Sequence, residues 1–453
     1  MKTSHRLSPR DVAAAWALCL CAPAWAVNGA QPGGHGAANA SMGGASIALP
    51  LDAEAAANNP AGVALLPSSM TLGVQVFHGE SSAQYVLPGN ELHNRSTTLG
   101  PEGGAIWRMS SEWTVGLSVA VGGAGSDYKH PALPVPGASN AETSLSVVEF
   151  IPTVAWRPRE DLALGLALNL AYERFEAQGV IVPAPVPGGL LPLPAHGSQD
   201  AGGVGVRAGA LWKPLPQLSL GVNFKSRTRM GQLRGYEQDL LAYSDGRIDI
   251  PSEYGIGAAW QATPAITLAA DVLRINWGEL AVMKDPAGFH WRNQPIARIG
   301  AAWTADGGWT LRAGYSRSRR QITSDRTVQN LLVPSIHNEA FTAGITWPLD
   351  GTGSLNLGYE LNPRTTLHGS GPSTGTSLTS KVQMLMASYQ HNFLGSGHGQ
   401  EQGGAATARV VPREPAAARS PAAAPAASLR PRGGARVPSL GEARAGAHRA
   451  LLA

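Results

Sequence analysis

No cysteine lies beyond residue 21, because Cys19 and Cys21 are the only two in the chain. Disulfides, thiol chemistry and cysteine metal sites are therefore ruled out for everything downstream. Charge is also scarce. It makes up 15% of the 453 residues, against roughly 25% in an ordinary soluble domain. Beyond the N-terminus there is no uncharged apolar run of about 18 residues, which speaks against helical membrane spans. Enzyme signatures are missing too: there is no G-x-S-x-G, no H-E-x-x-H and no P-loop. The twelve histidines are scattered. The glycine-rich GGAGSD at 122–127 opens no helix and is no phosphate cradle. The expectation is a protein that is not an enzyme and needs neither cofactor nor metal.

The first residues read as a secretory signal. Lys2, Arg6 and Arg10 supply positive charge, an apolar stretch runs from Val12 to Leu20, and Ala24-Trp25-Ala26 is a small-x-small cleavage pattern. Cleavage is expected after Ala26. Leu18 and Leu20 precede the two cysteines where a lipoprotein would want a small residue. The net charge of +4 is misleading. The signal contributes +2 and residues 395–453 contribute +5, which leaves about −3 for residues 27–394. Basicity thus gives no argument for nucleic-acid binding.

What the chain does have is 55 glycines and 43% hydrophobic residues. Three regions follow the signal. Residues 27–68 are rich in small residues and contain no clear strand. Residues 69–394 hold repeated alternating segments. Residues 395–453 contain no Phe, Trp or Tyr, and such an Ala/Pro/Arg tail is expected to stay disordered.

In the middle region a Trp ends one segment just before a short polar turn, at Trp107, Trp156, Trp212, Trp260, Trp303 and Trp347. A soluble core gives no reason for that repetition. A membrane interface does, because indole prefers headgroup depth and forms aromatic girdles. Period-two alternation points the same way. Leu162, Leu164, Leu166, Leu168 and Leu170 alternate with Ala163, Gly165, Ala167 and Asn169. Leu218, Leu220, Val222 and Phe224 alternate with Ser219, Gly221, Asn223 and Lys225. Segments of this kind fall at roughly 70–87, 95–109, 112–122, 143–157, 161–176, 199–212, 216–229, 246–261, 264–277, 293–304, 308–319, 337–347, 352–362 and 379–393. The expected fold is an all-β, antiparallel transmembrane barrel of fourteen strands. Its apolar face meets lipid, its turns are short on the periplasmic side and its loops long outside. The last segment ends in Phe393, like the signal read by the barrel-assembly machinery.

Residues 36–66 carry a resemblance. They contain Met42-Gly43-Gly44-Ala45, an acidic-alanine run from Asp52 to Ala57, and Asn59-Pro60-Ala61-Gly62. This resembles the start of the FadL/TodX family of outer-membrane fatty-acid and hydrocarbon transporters. The segments 271–280 (DVLRINWGEL) and 298–315 (RIGAAWTADGGWTLRAGY) are similar to further family segments. The resemblance implies a fourteen-stranded barrel plugged by an N-terminal hatch, residues 27–68. It also implies a monomer in the outer membrane of a Gram-negative bacterium. Ligand is then captured at external loops, held in an apolar internal pocket and released sideways where the third strand kinks. No energy source is implied.

Candidate sites follow. The loop 179–197 is unusually apolar, and Val180, Ile181, Val182, Leu190, Leu191 and Leu193 form either a capture surface or packing over the barrel mouth. Leu233, Leu240, Leu241 and Tyr243 in the next long loop add to it. Gly122 and Gly123, with Gly125 beyond, mark either the lateral-exit kink or an ordinary loop entry. Lumen-facing glycines at 116, 165, 209, 221, 257, 300, 314, 344 and 358 leave room for a hatch or ligand, or ease sheet curvature. Arg207, Lys225, Arg298 and Arg312 face the lumen, to meet a ligand carboxylate or to pair with Glu173, Glu253, Asp271 or Glu360. The expected partners are a hydrophobic small molecule and outer-membrane lipid, with no nucleic acid. The competing reading is a general porin or a structural outer-membrane barrel, with an outer-membrane lipase a distant third. An apolar third loop and a hatch-like N-terminus disfavour an open polar pore.

Overall fold

Alternation of apolar and small or polar residues builds the wall of the molecule. The computed structural model describes residues 31–183, 189–349 and 351–393. The signal, the tail, residues 27–30 and residues 184–188 of the apolar loop lie outside the described residues. Fourteen strands follow in chain order: β1 (Ser69–Gln84), β2 (Glu91–Arg108), β3 (Trp113–Asp127), β4 (Glu142–Arg159), β5 (Leu162–Gln178), β6 (Gln199–Leu215) and β7 (Leu218–Lys225), then β8 (Glu253–Thr263), β9 (Ile266–Ile275), β10 (Gln294–Thr304), β11 (Thr310–Ser318), β12 (Glu339–Pro348), β13 (Gly353–His368) and β14 (Ser377–Asn392). Each pairs antiparallel with its neighbours, and β14 returns to β1 from Ser69↔Asn392 to Gln84↔Ser377. The sheet therefore closes on itself as a fourteen-stranded barrel, as a lipid-embedded sheet must. A two-residue strand, Arg229–Met230, adds to β6.

Several boundaries differ from the periodicity. β3 runs to Asp127 rather than 122, so Gly122, Gly123 and Gly125 lie within it. β7 stops at Lys225 and β8 starts at Glu253, because the segment between them forms a packed loop with two short 3-10 turns. β13 continues to His368 across a register shift between Asn362 and Thr365.

Leu164, Leu166, Leu168 and Leu170 point outward and are exposed, while Ala163, Ala167 and Asn169 between them are buried. The six turn tryptophans are exposed as well, at the end with the short connections. Large exposed apolar residues on one face of a closed sheet are stable against hydrocarbon and costly against water. Among the described residues, no helix is long and apolar enough to cross a membrane.

The barrel is filled. Residues 31–66 lie inside it, almost all of them buried. They form short helical turns at Ala37–Ala40, Ala55–Asn58 and Pro60–Leu65. Met42, Ala45, Ala56 and Val63 pack there against Ile106, Ile151 and Leu211 of the wall. A second apolar layer joins the long loops above, with Tyr128, Leu233, Tyr236, Leu241, Trp277 and Ile336 at its centre.

Candidate functional site

The seat of the lumenal segment is written in glycine. A side chain at any of the nine lumen-facing glycines would run into it. A Cβ at Gly221 would stand 2.5 Å from the Ile47 carbonyl oxygen, and one at Gly358 2.6 Å from Ser41 Oγ. At Gly300 and Gly314 it would meet backbone of Met42 and Gly43. Gly43 and Gly44 themselves adopt φ of 69° and 77°, a turn that L side chains resist.

Polar groups lock this contact. Asn59 Nδ2 donates to the carbonyls of Ile47 (2.7 Å) and Val222 (3.2 Å), and its Oδ1 accepts from Ala61 N–H. Pro60 sits in the first turn of the 3-10 helix, where a missing N–H costs nothing. Gly43 N–H donates to Thr342 Oγ1, and the backbone N–H groups of Ser46 and Ile47 both donate to Asp271 Oδ2.

Of the four lumen cations, Arg207 and Arg298 bond the lumenal segment directly, while Lys225 and Arg312 bond wall residues. Arg207 bridges the carbonyl of Ala57 (2.6 Å) and Glu149 (2.6 Å), and Lys225 pairs with Glu149 at 3.0 Å. Arg298 donates to the Gly44 carbonyl, and Arg312 to Thr346 Oγ1. The shared carboxylate is Glu149, which the sequence reading did not single out. It sits mid-strand among apolar neighbours, with no local sign of its partners on β6 and β7.

One side of the seat is acidic. Asp52 and Glu54 are buried beside Glu102 of β2, whose carboxylate also accepts from Gln75 and from Gly36 N–H. Both Glu54 oxygens lack a neutral donor. Burial, and next the Glu102 and Asp52 charges, push the Glu54 carboxyl well above the usual carboxylate range. A carboxyl raised in the docked state is favoured there while protonated. Its contribution weakens as pH climbs from the ordinary range toward the raised value. Glu54→Gln, which keeps the shape and removes the titration, is expected to make spontaneous channel openings in planar bilayers several-fold rarer than in the parent at pH 8. At pH 4 the two should match. Equal opening frequencies at both pH values would refute this.

The wall has one weak seam. β2 and β3 pair only from Arg108↔Thr114 to Gly103↔Val119. Above that, β3 stays with β4 up to Asp127↔Glu142 while β2 stays with β1. Residues 120–126 of β3 are buried without alternation, unlike the other strands. Val121 turns behind Gly100, where a Cβ would lie 2.8 Å from Val121 Cγ2. Gly122 and Gly123 stand in this departing stretch, Gly123 with φ 154°. A small cleft of about 40 Å³ beside Gly122 is lined by Gln31, Pro32, His35, Leu145, Glu149 and Lys225, among others. That is room for a few waters and no more.

A much larger cavity, about 640 Å³, lies among the outer loops. Val180, Ile181, Val182 and Leu193 line it, together with Leu240, Leu241 and Tyr243. Leu190 and Leu191 do not line it. They pair with Pro183 and Val182 in a small hairpin and are half exposed. Leu233 is fully buried in the loop layer. The sequence reading missed Phe289 and the run Leu331, Leu332 and Val333, which complete the wall. An apolar NLLVP run inside a long loop was the available signal. Tyr128 Oη and Ser126 Oγ donate to the carbonyls of Leu331 and Leu332, holding that loop against β3. Ile181, Phe289 and Leu332 of the cavity belong to one packed apolar cluster with Leu145, Ile248 and Trp277, which line the cleft beside Gly122. Among the described residues, no cluster of His, Cys, Asp and Glu is placed to hold a metal ion.

Residues 13–393 match a family model described as outer membrane protein transport protein (OMPP1/FadL/TodX). Solved structures share the fold. The toluene transporter TodX of P. putida is 20% identical, with a TM-score of 0.65 over 80% of this chain and 99% of its own. A FadL homologue of Pseudomonas aeruginosa is 17% identical, TM-score 0.63, over 81% and 100%. The toluene transporter TbuX of Ralstonia pickettii is 15% identical, TM-score 0.59, over 80% and 99%. No curated protein matches.

Proposed function

Since the chain belongs to the OMPP1/FadL/TodX family of outer membrane transport proteins, we propose that it takes up small uncharged hydrophobes, monoaromatic hydrocarbons before fatty acids. The carrying observation is the 640 Å³ cavity, an apolar chamber of ligand size set over a barrel whose lumen is filled. A filled lumen argues against a general porin. The cavity lining includes Asp239 and Asp285 but no Lys or Arg. A carboxylate buried there would lack a cation and meet like charge, whereas an aromatic ring loses nothing. Two of the structural relatives carry toluene transporter as their titles, which agrees with that preference.

The path we propose starts in this cavity, follows the shared apolar cluster to the cleft beside Gly122, which must widen to admit a ring, and leaves between β2 and β3 into the membrane. No aqueous step is needed, and uptake is passive. Labelled toluene and labelled palmitate binding to the purified full chain in detergent decide the substrate class. Tighter palmitate binding would overturn the preference for uncharged ligands. Large stable ion currents through the parent protein would instead favour a porin.

The lining makes a measurable demand. Val182→Ser with Leu332→Ser removes several wall carbons and adds hydroxyls. At about 0.8 kcal/mol per buried CH₂, the Kd for toluene should rise about tenfold. Leu190→Ser with Leu191→Ser, on the exposed hairpin, should change it much less. Titration calorimetry of both pairs compares them directly, and equal losses would displace the site from the cavity to the loop surface.

A further inference from the structure

On the outer surface, at the end with the long loops, three strand ends and one loop enclose a cleft of about 430 Å³. Its lining carries Arg274, Lys284, His290, Arg292 and Arg319 and no Asp or Glu. Register explains the gathering. Arg274 of β9 lies opposite Pro295 of β10, and Arg319 N–H donates to the Pro295 carbonyl from the other side. The two guanidinium-bearing positions therefore flank one proline. Arg292 is held nearby because its N–H donates to the Gln321 carbonyl.

These cations are not spent on local pairs. The adjacent Arg317 binds Glu339 at 3.3 Å, but among the described residues Arg274, Lys284, Arg292 and Arg319 have no carboxylate within 4.0 Å. Arg274 Nε donates only to Asn276. Glu279 accepts from Asn293 of the lining, Asp285 accepts from Ala287 N–H, and Asp325, close enough to feel the Arg292 charge, pairs with Arg326 at 3.5 Å. Four cations with no carboxylate in contact repel one another, and a site that gathers them is stabilised by an anion with several acceptor oxygens.

Depth identifies the anion. On β9 the lipid-facing row is Leu268, Ala270 and Val272, and the next residue on that face is Arg274. On β11 the row is Leu311, Ala313 and Tyr315, followed by Arg317. One step of two residues, about 6.6 Å, separates hydrocarbon-facing from cationic side chains. The cleft thus sits at headgroup level of the outer leaflet. Below it β10 presents Ala297, Ile299 and Ala301 on the same outward face, an apolar row against which an acyl chain can lie.

We propose that this cleft binds the phosphate group of an outer-leaflet glycolipid, whose acyl chains lie against the outer faces of β9 to β11. The site is outside the barrel and separate from the transport path, so it stands whether or not the substrate reading above holds. Native mass spectrometry of the full chain in mild detergent tests it. The probes are diphosphoryl lipid A, the same lipid with its phosphates removed, and inorganic phosphate. The parent should retain diphosphoryl lipid A and bind the phosphate-free lipid poorly, and millimolar inorganic phosphate should not displace it. Arg274→Gln with Arg319→Gln should weaken binding about thirtyfold, the scale of two interfacial cations lost, while Arg274→Lys with Arg319→Lys keeps most of it. Strand circular dichroism reports folding. If the double variant misfolds, Arg292→Gln, in an exposed loop, should give about a fivefold loss. Equal binding of the phosphate-free lipid, or unchanged binding by the glutamine variants, overturns the proposal. Displacement by micromolar inorganic phosphate overturns the lipid as the ligand and leaves a free-anion site.

Discussion

Gly314→Leu should turn a closed barrel into an ion-conducting one, raising single-channel conductance by about an order of magnitude over the parent. The reason is local and backbone-bound. A Cβ at 314 would meet the Gly43 nitrogen and the Met42 carbonyl carbon, neither of which can rotate away. The rest of a leucine would need the volume that the turn at Gly43 and Gly44 occupies. That turn is anchored by Gly43 N–H to Thr342 and by Arg298 to the Gly44 carbonyl, so displacing it breaks both. The strand itself loses nothing, because leucine suits a β-strand better than glycine does. Barrel assembly should persist, read as parental strand signal in circular dichroism. Parental conductance in a correctly inserted Gly314→Leu barrel would show that the lumenal segment is not what closes the pore.

Gly122→Val with Gly123→Val should cut uptake of a labelled hydrophobe to about a tenth or less while leaving binding in the outer cavity unchanged. The stretch lies where β3 has parted from β2 and is buried on both faces. Gly123 holds φ 154°, which valine rarely adopts, so the double substitution both fills the seam and straightens it. None of the cavity-lining side chains changes. A loss of binding together with uptake would mean that the outer loops had been disturbed instead. Full uptake by a folded variant would end the lateral-exit reading.

What could be read from the chain divides by distance. The strands follow from neighbours two apart, since a residue facing lipid and one facing the lumen obey different solvents. Leu164 to Leu170 and the turn tryptophans needed nothing else. The lumenal glycines were legible as absent side chains, yet only the structure pairs each with a hatch atom, as at Gly209 with Asn59. Long-range charge partners were not legible. Arg207, Lys225 and Glu149 sit on three strands, and no spacing links them. The end of β3 was misplaced for a related reason. Glycines 122, 123 and 125 look like a strand ending, but pairing with β4 carries β3 on to Asp127. The far wall of the cavity was missed because a long loop has no periodicity to betray its fold. Leu331 to Val333 are placed by Tyr128 and Ser126, some 200 positions away.

The short join between the lumenal segment and β1 has a kinetic meaning. The 3-10 turn Pro60–Leu65 is followed within a few residues by β1 at Ser69, and Phe393 N–H donates to the Ser68 carbonyl, pinning the join at the barrel rim. The plug is thus a ligand tethered to its own receptor. Its effective concentration at the seat is on the order of millimolar, fixed by the tether and independent of how much protein the membrane holds. Were the plug to leave its seat, its return would be a first-order event that needs no encounter. Any population of open barrels would then be set by the tether and the seat, and hardly at all by how crowded the membrane becomes.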